Sequence, residues 1–160
     1  MTHHGGVYAR LVNRFSATRP GSWLVRNLAA RVDPLIFRAT DGRFTITGPP
    51  TLPMLSLTTI GRRSGEPRTV QLAYHRVADD LLVVASAMGQ DRHPAWRHNL
   101  EANPEAEVRL RGATFPVTAT LLTPEEREVH WDAIKDTIPQ MTTYEGRTDR
   151  EIGVFRLRRR

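Results

Sequence analysis

The stretch Ser56-Leu-Thr-Thr-Ile-Gly-Arg-Arg-Ser-Gly-Glu-Pro-Arg-Thr-Val70 reads as a strand, a tight turn and a second strand. Apolar and polar residues alternate before the turn, which is the period of a half-buried strand. Gly61 and Gly65 bracket the turn, where glycine adopts a positive φ at little cost. Pro67 precedes the second strand, where its missing N–H does little harm. The pattern therefore predicts a β-hairpin whose second strand has its apolar face formed by Val70, Leu72 and Tyr74.

Three arginines lie at the tip of this hairpin: Arg62, Arg63 and Arg68. Guanidinium groups bind phosphate or carboxylate through paired, charge-assisted hydrogen bonds. Free amides in a tight turn add donors that favour an anion. One interpretation is therefore a site for a phosphate- or carboxylate-bearing ligand. The other is that the basic tip is solvated and keeps a strand edge soluble.

The composition is that of one globular domain. The 160 residues give enough length for a substantial core, and 39% of them are hydrophobic. There is no cysteine, which excludes disulfides and thiolate chemistry and is compatible with a reducing cytoplasm. We see neither an apolar run long enough to span a membrane nor a secretory signal pattern, so we expect a cytoplasmic protein.

The formal charge of +6 indicates an anionic partner: a polyanionic small molecule, an anionic membrane surface or nucleic acid. Nucleic acid is disfavoured because arginines and aromatic residues do not interleave along a strand. Residues 1–34 read as a basic tail with an amphipathic helix. This helix either lies on the inner face of the membrane or packs its apolar stripe on the domain. Residues 35–160 are expected to form that domain.

Residues 81–85 are apolar at every position, which predicts a central strand buried on both faces. The loop that follows, at 86–93, is a favoured place for a ligand because it lies at the end of a buried strand. Alternating residues predict further strands near 108–110 and 115–121, and a last strand at 151–157. Consecutive antiparallel strands interrupted by helices indicate an α+β protein, mainly antiparallel, built as a small closed barrel with helices outside it.

Two helices are predicted after the central strand. Pro94 is expected at the first position of one helix, and Asn99 on its inner face needs hydrogen-bond partners. The sequence Thr123-Pro-Glu-Glu126 is a capping box that starts the other helix. Residues 136–147 are expected to be irregular. The buried residues of the second helix are expected to be Val129, Trp131 and Ile134.

Several enzyme motifs are absent, namely G-x-G-x-x-G, G-x-x-x-x-G-K-[ST], H-E-x-x-H and G-x-S-x-G. The histidines are scattered along the chain, so we expect no metal site. If the protein is an enzyme, a cofactor is expected to supply the difficult chemical step.

Three segments in this order, residues 57–68, 83–86 and 93–104, resemble the deazaflavin-dependent nitroreductase family. The helix start at 122–127 and the Thr148-Asp-Arg-X-Ile152 element resemble the same family. The resemblance implies a split β-barrel that binds coenzyme F420, with reduced F420 delivering a hydride from C5 to a quinone, a nitro compound or an activated alkene.

The resemblance also implies which residues bind the cofactor. F420 has a phosphodiester and an acidic lactyl-oligoglutamate tail, and the matching turn positions bind this anionic part. The matching loop positions contact the deazaflavin ring through their backbone, and two helix positions face the cofactor. The implied cofactor-binding residues are Arg62, Arg63, Ser64, Arg68, Ala85, Ser86, Ala87, Trp96 and Asn99.

This sequence departs from the family pattern in three places, the first of which is the missing common proline at the Gln71 position. Ala87 stands where the best-known members have a lysine after the serine of the loop, and Arg92 offers a replacement cation. Where some members place several tyrosines over the substrate, this chain has Tyr144, our candidate proton donor.

Two alternatives to an F420-dependent reductase stay open. The same barrel could bind FMN, although an oligoglutamate tail needs more cationic groups than one phosphate does. It could also bind F420 or a lipid without turnover. By the resemblance we expect a monomer.

Overall fold

The structure, a computed structural model, describes Ile36 and residues 52–160. The predictions for residues 1–34, including the helix expected to meet a membrane, and for a domain boundary at residue 35 concern residues outside this described part. No helix within it is long and apolar enough to span a membrane.

Six antiparallel strands close into a barrel in the order β1-β2-β3-β6-β5-β4, which confirms the predicted fold class. The strands are β1 (Met54–Ile60), β2 (Pro67–Val77), β3 (Asp80–Val84), β4 (Glu105–Leu110), β5 (Ala113–Leu121) and β6 (Val154–Arg159). The helices of the described part are α1 (Ala95–Ala102), α2 (Pro124–Thr137) and α3 (Gln140–Glu145).

Two apolar clusters stabilise the barrel, and β3 contributes to both. Leu81 and Val83 point into the barrel interior, where they join Leu57 and Phe155. Leu82 and Val84 point outward into a second cluster beneath α2 and α3, formed with Trp131, Ile134, Ile138 and Met141. β3 is therefore buried on both faces, as the apolar residues at every position of 81–85 predicted.

The predicted hairpin is formed by β1 and β2, with Leu57 opposite Val70 and Thr59 opposite Arg68. This register places Arg68 beside the turn, close to Arg62 and Arg63 in the chain. The turn closes through two backbone bonds, from Gly61 N to Glu66 O and from Gly65 N to Gly61 O, each 2.8 Å long. Gly65 has a φ of +69°, as its position in the turn requires.

Three details of the sequence reading were wrong. Pro94 is the N-cap residue of α1 instead of its first helical residue. Residues 136–147 are mostly helical, because α2 continues to Thr137 and α3 begins directly after Pro139. Val129 is 79% exposed, because the buried stripe of α2 runs through Trp131 and Ile134 and Val129 lies on the opposite face. The capping box of α2 is confirmed, with both of its hydrogen bonds present.

Candidate functional site

The hairpin tip, here called the arginine turn (residues 61–68), presents cationic side chains to solvent. Arg62, Arg63 and Arg68 are exposed, and within residues 52–160 none of them forms an ion pair with an acidic side chain. Because their charge is not neutralised by the protein, they are available to an external anion.

The backbone of the arginine turn offers fewer donors than the sequence suggested. The amides of Gly61, Gly65 and Glu66 donate within the turn, and the amide of Arg62 donates to a side chain of α1. Two turn amides, those of Arg63 and Ser64, have no acceptor among the described residues. Because the Ser64 hydroxyl accepts from Glu66 N at 3.3 Å, its own proton is available to a ligand.

Asn99 connects α1 to the arginine turn. Its side-chain oxygen accepts the Arg62 N–H at 3.1 Å, and its amide nitrogen donates to Thr59 Oγ1 at 3.0 Å. Asn99 is 6% exposed and Thr59 is 1% exposed. The partners that a core-facing asparagine needs are therefore present, and they fix the start of the turn.

The chain leaves β3 in an unusual conformation, in the segment here called the strand-end loop (residues 85–90). Ala87 and Met88 have φ values of +46° and +58°, and Gly89 follows at +75°. A left-handed conformation costs a residue with a Cβ roughly 1–2 kcal/mol, and such strain collects at functional sites. The amides of Ala87 and Met88 have no acceptor within the described chain, so they are donors that a ligand can use.

A cavity of about 370 Å³ lies beside the strand-end loop, a size typical of small-molecule sites. Ser86 and Ala87 form one wall, Trp96 of α1 lies on another, and Tyr144 of α3 borders it. Polar groups come from Gln71, Ser86, Gln140 and Tyr144. The apolar lining includes Leu72, Val84, Ile138 and three of the chain's four methionines, Met54, Met88 and Met141.

One face of α1 connects the cavity with the arginine turn. Trp96 lines the cavity and packs edge-on against Phe155, with ring centroids 5.6 Å apart. Asn99 lies three residues, or about 4.5 Å, further along the axis of α1. It binds the arginine turn, so neighbouring positions of one helix contact both parts of the site. Eight of the nine predicted cofactor-binding residues lie in one of these two parts: Ser86, Ala87 and Trp96 line the cavity with Tyr144, and Arg62, Arg63, Ser64 and Arg68 form the arginine turn, to which Asn99 bonds. The exception is Ala85, which is fully buried behind the loop.

Two residues near the loop were missed by the sequence reading. Met88 is 63% exposed and lines the cavity. Arg150 extends behind the loop and donates to the carbonyl oxygens of Ser86 at 2.7 Å and Gln90 at 2.8 Å. The resemblance of the 148–152 element was the only sequence signal for Arg150, and it assigned no role.

Comparison with known proteins gives concordant matches. The sequence profile of a family described as F420H(2)-dependent quinone reductase matches residues 29–158. The F420H(2)-dependent quinone reductase Rv1261c of Mycobacterium tuberculosis is 37% identical over 144 residues, covering 86% of this chain and 97% of that protein.

Two solved structures are also similar. One is described as an F420-H2 dependent reductase (FDR-A), with 36% identity and a TM-score of 0.61 over 66% of this chain and 93% of that one. The other, described as a domain-swapped dimer, has 31% identity and a TM-score of 0.63 over 86% of this chain and 98% of that one.

Proposed function

The chain belongs to the F420H(2)-dependent quinone reductase family, and from this membership we propose how its site works: the arginine turn binds the anionic tail of F420, and the apolar cavity receives the deazaflavin ring and the quinone. The predicted family resemblance, the cofactor and the oxidoreductase activity on quinones are confirmed at the level of the family. The individual roles of residues are proposals.

The observation that supports this assignment most strongly is the placement of two unlike surfaces on one helix. Three unpaired guanidiniums, two available amides and the Ser64 hydroxyl suit a ligand with a phosphodiester and several carboxylates. The apolar cavity with few polar groups suits a flat ring system. FMN has one phosphate and would leave part of the arginine turn without an anionic partner.

When bound, reduced F420 supplies a hydride from C5, and the quinone that receives it also needs a proton to become a quinol. The apolar walls would hold both rings in a surrounding poor in water, and the strand-end loop and Trp96, which line the cavity, would orient them. The amides of Ala87 and Met88, which have no acceptor among the described residues, would be available to donate to a ligand in the cavity that these residues line. Tyr144 borders the cavity and is our candidate for the donor of the proton to the quinone oxygen.

The direct test of this function is the anaerobic oxidation of F420H2 by a water-soluble naphthoquinone in the presence of the protein. The return of oxidised-F420 fluorescence measures the rate. We expect multiple turnovers, with one quinol formed for each F420H2 consumed. Binding of F420 without any turnover on quinones would instead support a carrier or storage protein.

Replacing Tyr144 by phenylalanine should slow turnover about fivefold and leave F420 affinity unchanged, because the ring keeps its packing while a hydrogen bond worth roughly 1 kcal/mol is lost. Steady-state rates and fluorescence titration of the same preparation check both halves of the prediction. The variant Thr143→Ala on the exposed side of α3 is the matched control. An unchanged rate in Tyr144→Phe would assign the proton to solvent.

Nitro compounds and activated alkenes are proposed as further acceptors. Methionine side chains are flexible and polarizable, so they adapt to flat ligands of different shape. Three methionines, Met54, Met88 and Met141, line the cavity. The expected monomeric state and the contact of residues 1–34 with a membrane stay predictions.

A further inference from the structure

The Arg150 guanidinium bonds mainly to the strand-end loop and the residues beside it, with one further bond of 3.5 Å from Nη1 to Glu151 O. Its Nε donates to Gln90 O at 2.8 Å, and its Nη2 donates to Ala85 O at 3.1 Å and Ser86 O at 2.7 Å. These three carbonyls belong to a segment about 60 residues earlier in the chain. A single side chain therefore bonds both ends of the left-handed turn formed by Ala87, Met88 and Gly89.

His93 completes this arrangement. Its Nδ1 lies 3.1 Å from Nη1 of Arg150 and 3.0 Å from Nη1 of Arg97. A guanidinium has no acceptor, so Nδ1 must accept both bonds, and the ring must be neutral with its proton on Nε2. Burial, and then the charges of Arg97 and Arg150, lower the pKa of His93 below its ordinary value.

The left-handed turn needs such support. Ala87 and Met88 have a Cβ and rarely adopt a positive φ, and conformations of this kind persist where the surroundings over-determine them. Within the turn, Gly89 N donates to Ser86 O at 2.9 Å and Gln90 N donates to Ala87 O at 3.1 Å. The remaining oxygens at its ends, those of Ala85 and Gln90, are bonded by Arg150.

We infer that Arg150 is a positioning residue that, together with neutral His93, fixes the strand-end loop in the conformation that presents the Ala87 and Met88 amides to the cavity. Arg150 does not line the cavity itself, so it acts through the loop. The inference deepens the proposed function and rests on it where it concerns the deazaflavin ring.

The variants Arg150→Lys and Arg150→Met test this inference with two ligands. The first ligand is F420; the second is the deazaflavin riboside that lacks the phosphodiester and the glutamate tail. Because the loop contacts the ring, both variants should lose about tenfold in affinity for each ligand, with Arg150→Lys closer to wild type. The exposed Arg76 lies near the end of β2 opposite to the arginine turn, and Arg76→Met is the matched control.

A second readout needs no cofactor. Hydrogen–deuterium exchange of the peptide spanning residues 85–90 in the free protein should become faster in the Arg150 variants, with no change in the peptides of β1 and β4. Faster exchange everywhere would mean general destabilisation and would contradict a local role. If neither wild type nor variants bound a deazaflavin, the proposed function would fail, while the exchange data would still decide the loop inference.

The pH dependence supplies a third readout. Protonation of His93 removes the acceptor for both guanidiniums, so loop protection and riboside affinity should be complete above pH 6.5 and should be lost as the pH falls below it. The other charged groups around His93 are Arg97, Arg150, His98 and Glu101. His93→Asn keeps an acceptor that does not titrate. In this variant loop protection and riboside affinity should no longer fall at acid pH. In His98→Gln, loop protection and riboside affinity should still fall at acid pH. If this variant abolished the fall and His93→Asn did not, His98 would be the titrating group.

If the affinity of Arg150→Met for the riboside and its loop exchange both equal those of wild type, Arg150 has no positioning role. If His93→Asn retains the full loss of affinity at acid pH, His93 is not the group that titrates, and the part of the inference that concerns His93 is wrong.

Discussion

The triple variant Arg62→Ala, Arg63→Ala, Arg68→Ala is expected to bind F420 about 10³-fold more weakly than the wild type. Hydrogen bonds to charged groups contribute roughly 1.5 kcal/mol or more each, and about 1.4 kcal/mol corresponds to a tenfold change in affinity. The three side chains are exposed and pair with no carboxylate in the described chain. Their removal should therefore leave the free energy of unfolding within about 0.5 kcal/mol of the wild-type value.

The tailless deazaflavin riboside separates this effect from damage to the cavity. If the arginine turn binds the anionic tail, the triple variant and the wild type should bind the riboside equally well. The single variant Arg63→Ala should lose about tenfold for F420, and Arg76→Ala should lose nothing. Equal losses for F420 and the riboside would show that the arginines act on the ring site or on folding, and the assignment of the tail would be wrong.

Asn99→Leu is expected to lower the free energy of unfolding by roughly 2–3 kcal/mol and to weaken F420 binding by more than tenfold. The substitution removes the partners of Thr59 Oγ1 and Arg62 N. An unsatisfied buried polar group costs about 1–3 kcal/mol, and Thr59 is 1% exposed, so its hydroxyl has no access to water. The loss of affinity follows because the arginine turn is then no longer bonded to α1.

Thr59→Val separates the two consequences. It removes the hydroxyl but keeps the bond from Arg62 N to Asn99, so stability should fall by about 1–2 kcal/mol with F420 affinity close to wild type. Urea unfolding measures the first quantity and fluorescence titration the second. F420 affinity in Asn99→Leu equal to that of the wild type would show that Asn99 is structural only.

The sequence predicted the parts of the fold that depend on neighbouring residues. The alternation around Leu57, the glycines of the turn and the Thr123 capping box are local patterns, and each led to the correct element. Val129 was wrongly predicted to be buried. The helical period itself places Val129 on the face opposite to Trp131 and Ile134, which are the buried residues of α2. Residues 136–147 were expected to be irregular, but α2 continues to Thr137 and α3 begins directly after Pro139, because a proline between two helices can precede the second one.

The candidate site was less predictable because its contacts join distant segments. Arg150 donates a hydrogen bond to Ala85, which lies 65 positions earlier in the sequence. Sequence patterns based on the spacing of nearby residues cannot predict such a contact. The choice of acceptor for the Arg62 amide likewise depends on where α1 packs. The family resemblance placed Ala85 in the site together with Ser86 and Ala87. In the structure Ser86, Ala87 and Met88 line the cavity, whereas Ala85 is fully buried and does not line it.

The measurement that tests the central claim most directly is a fluorescence titration of the wild-type protein with oxidised F420, with FMN titrated in parallel. The proposed site predicts a dissociation constant in the micromolar range or below for F420 and much weaker binding of FMN, because only F420 has an anionic tail that reaches all three arginines. Tight binding of FMN with no binding of F420 would contradict the account and make the chain a flavin-binding barrel.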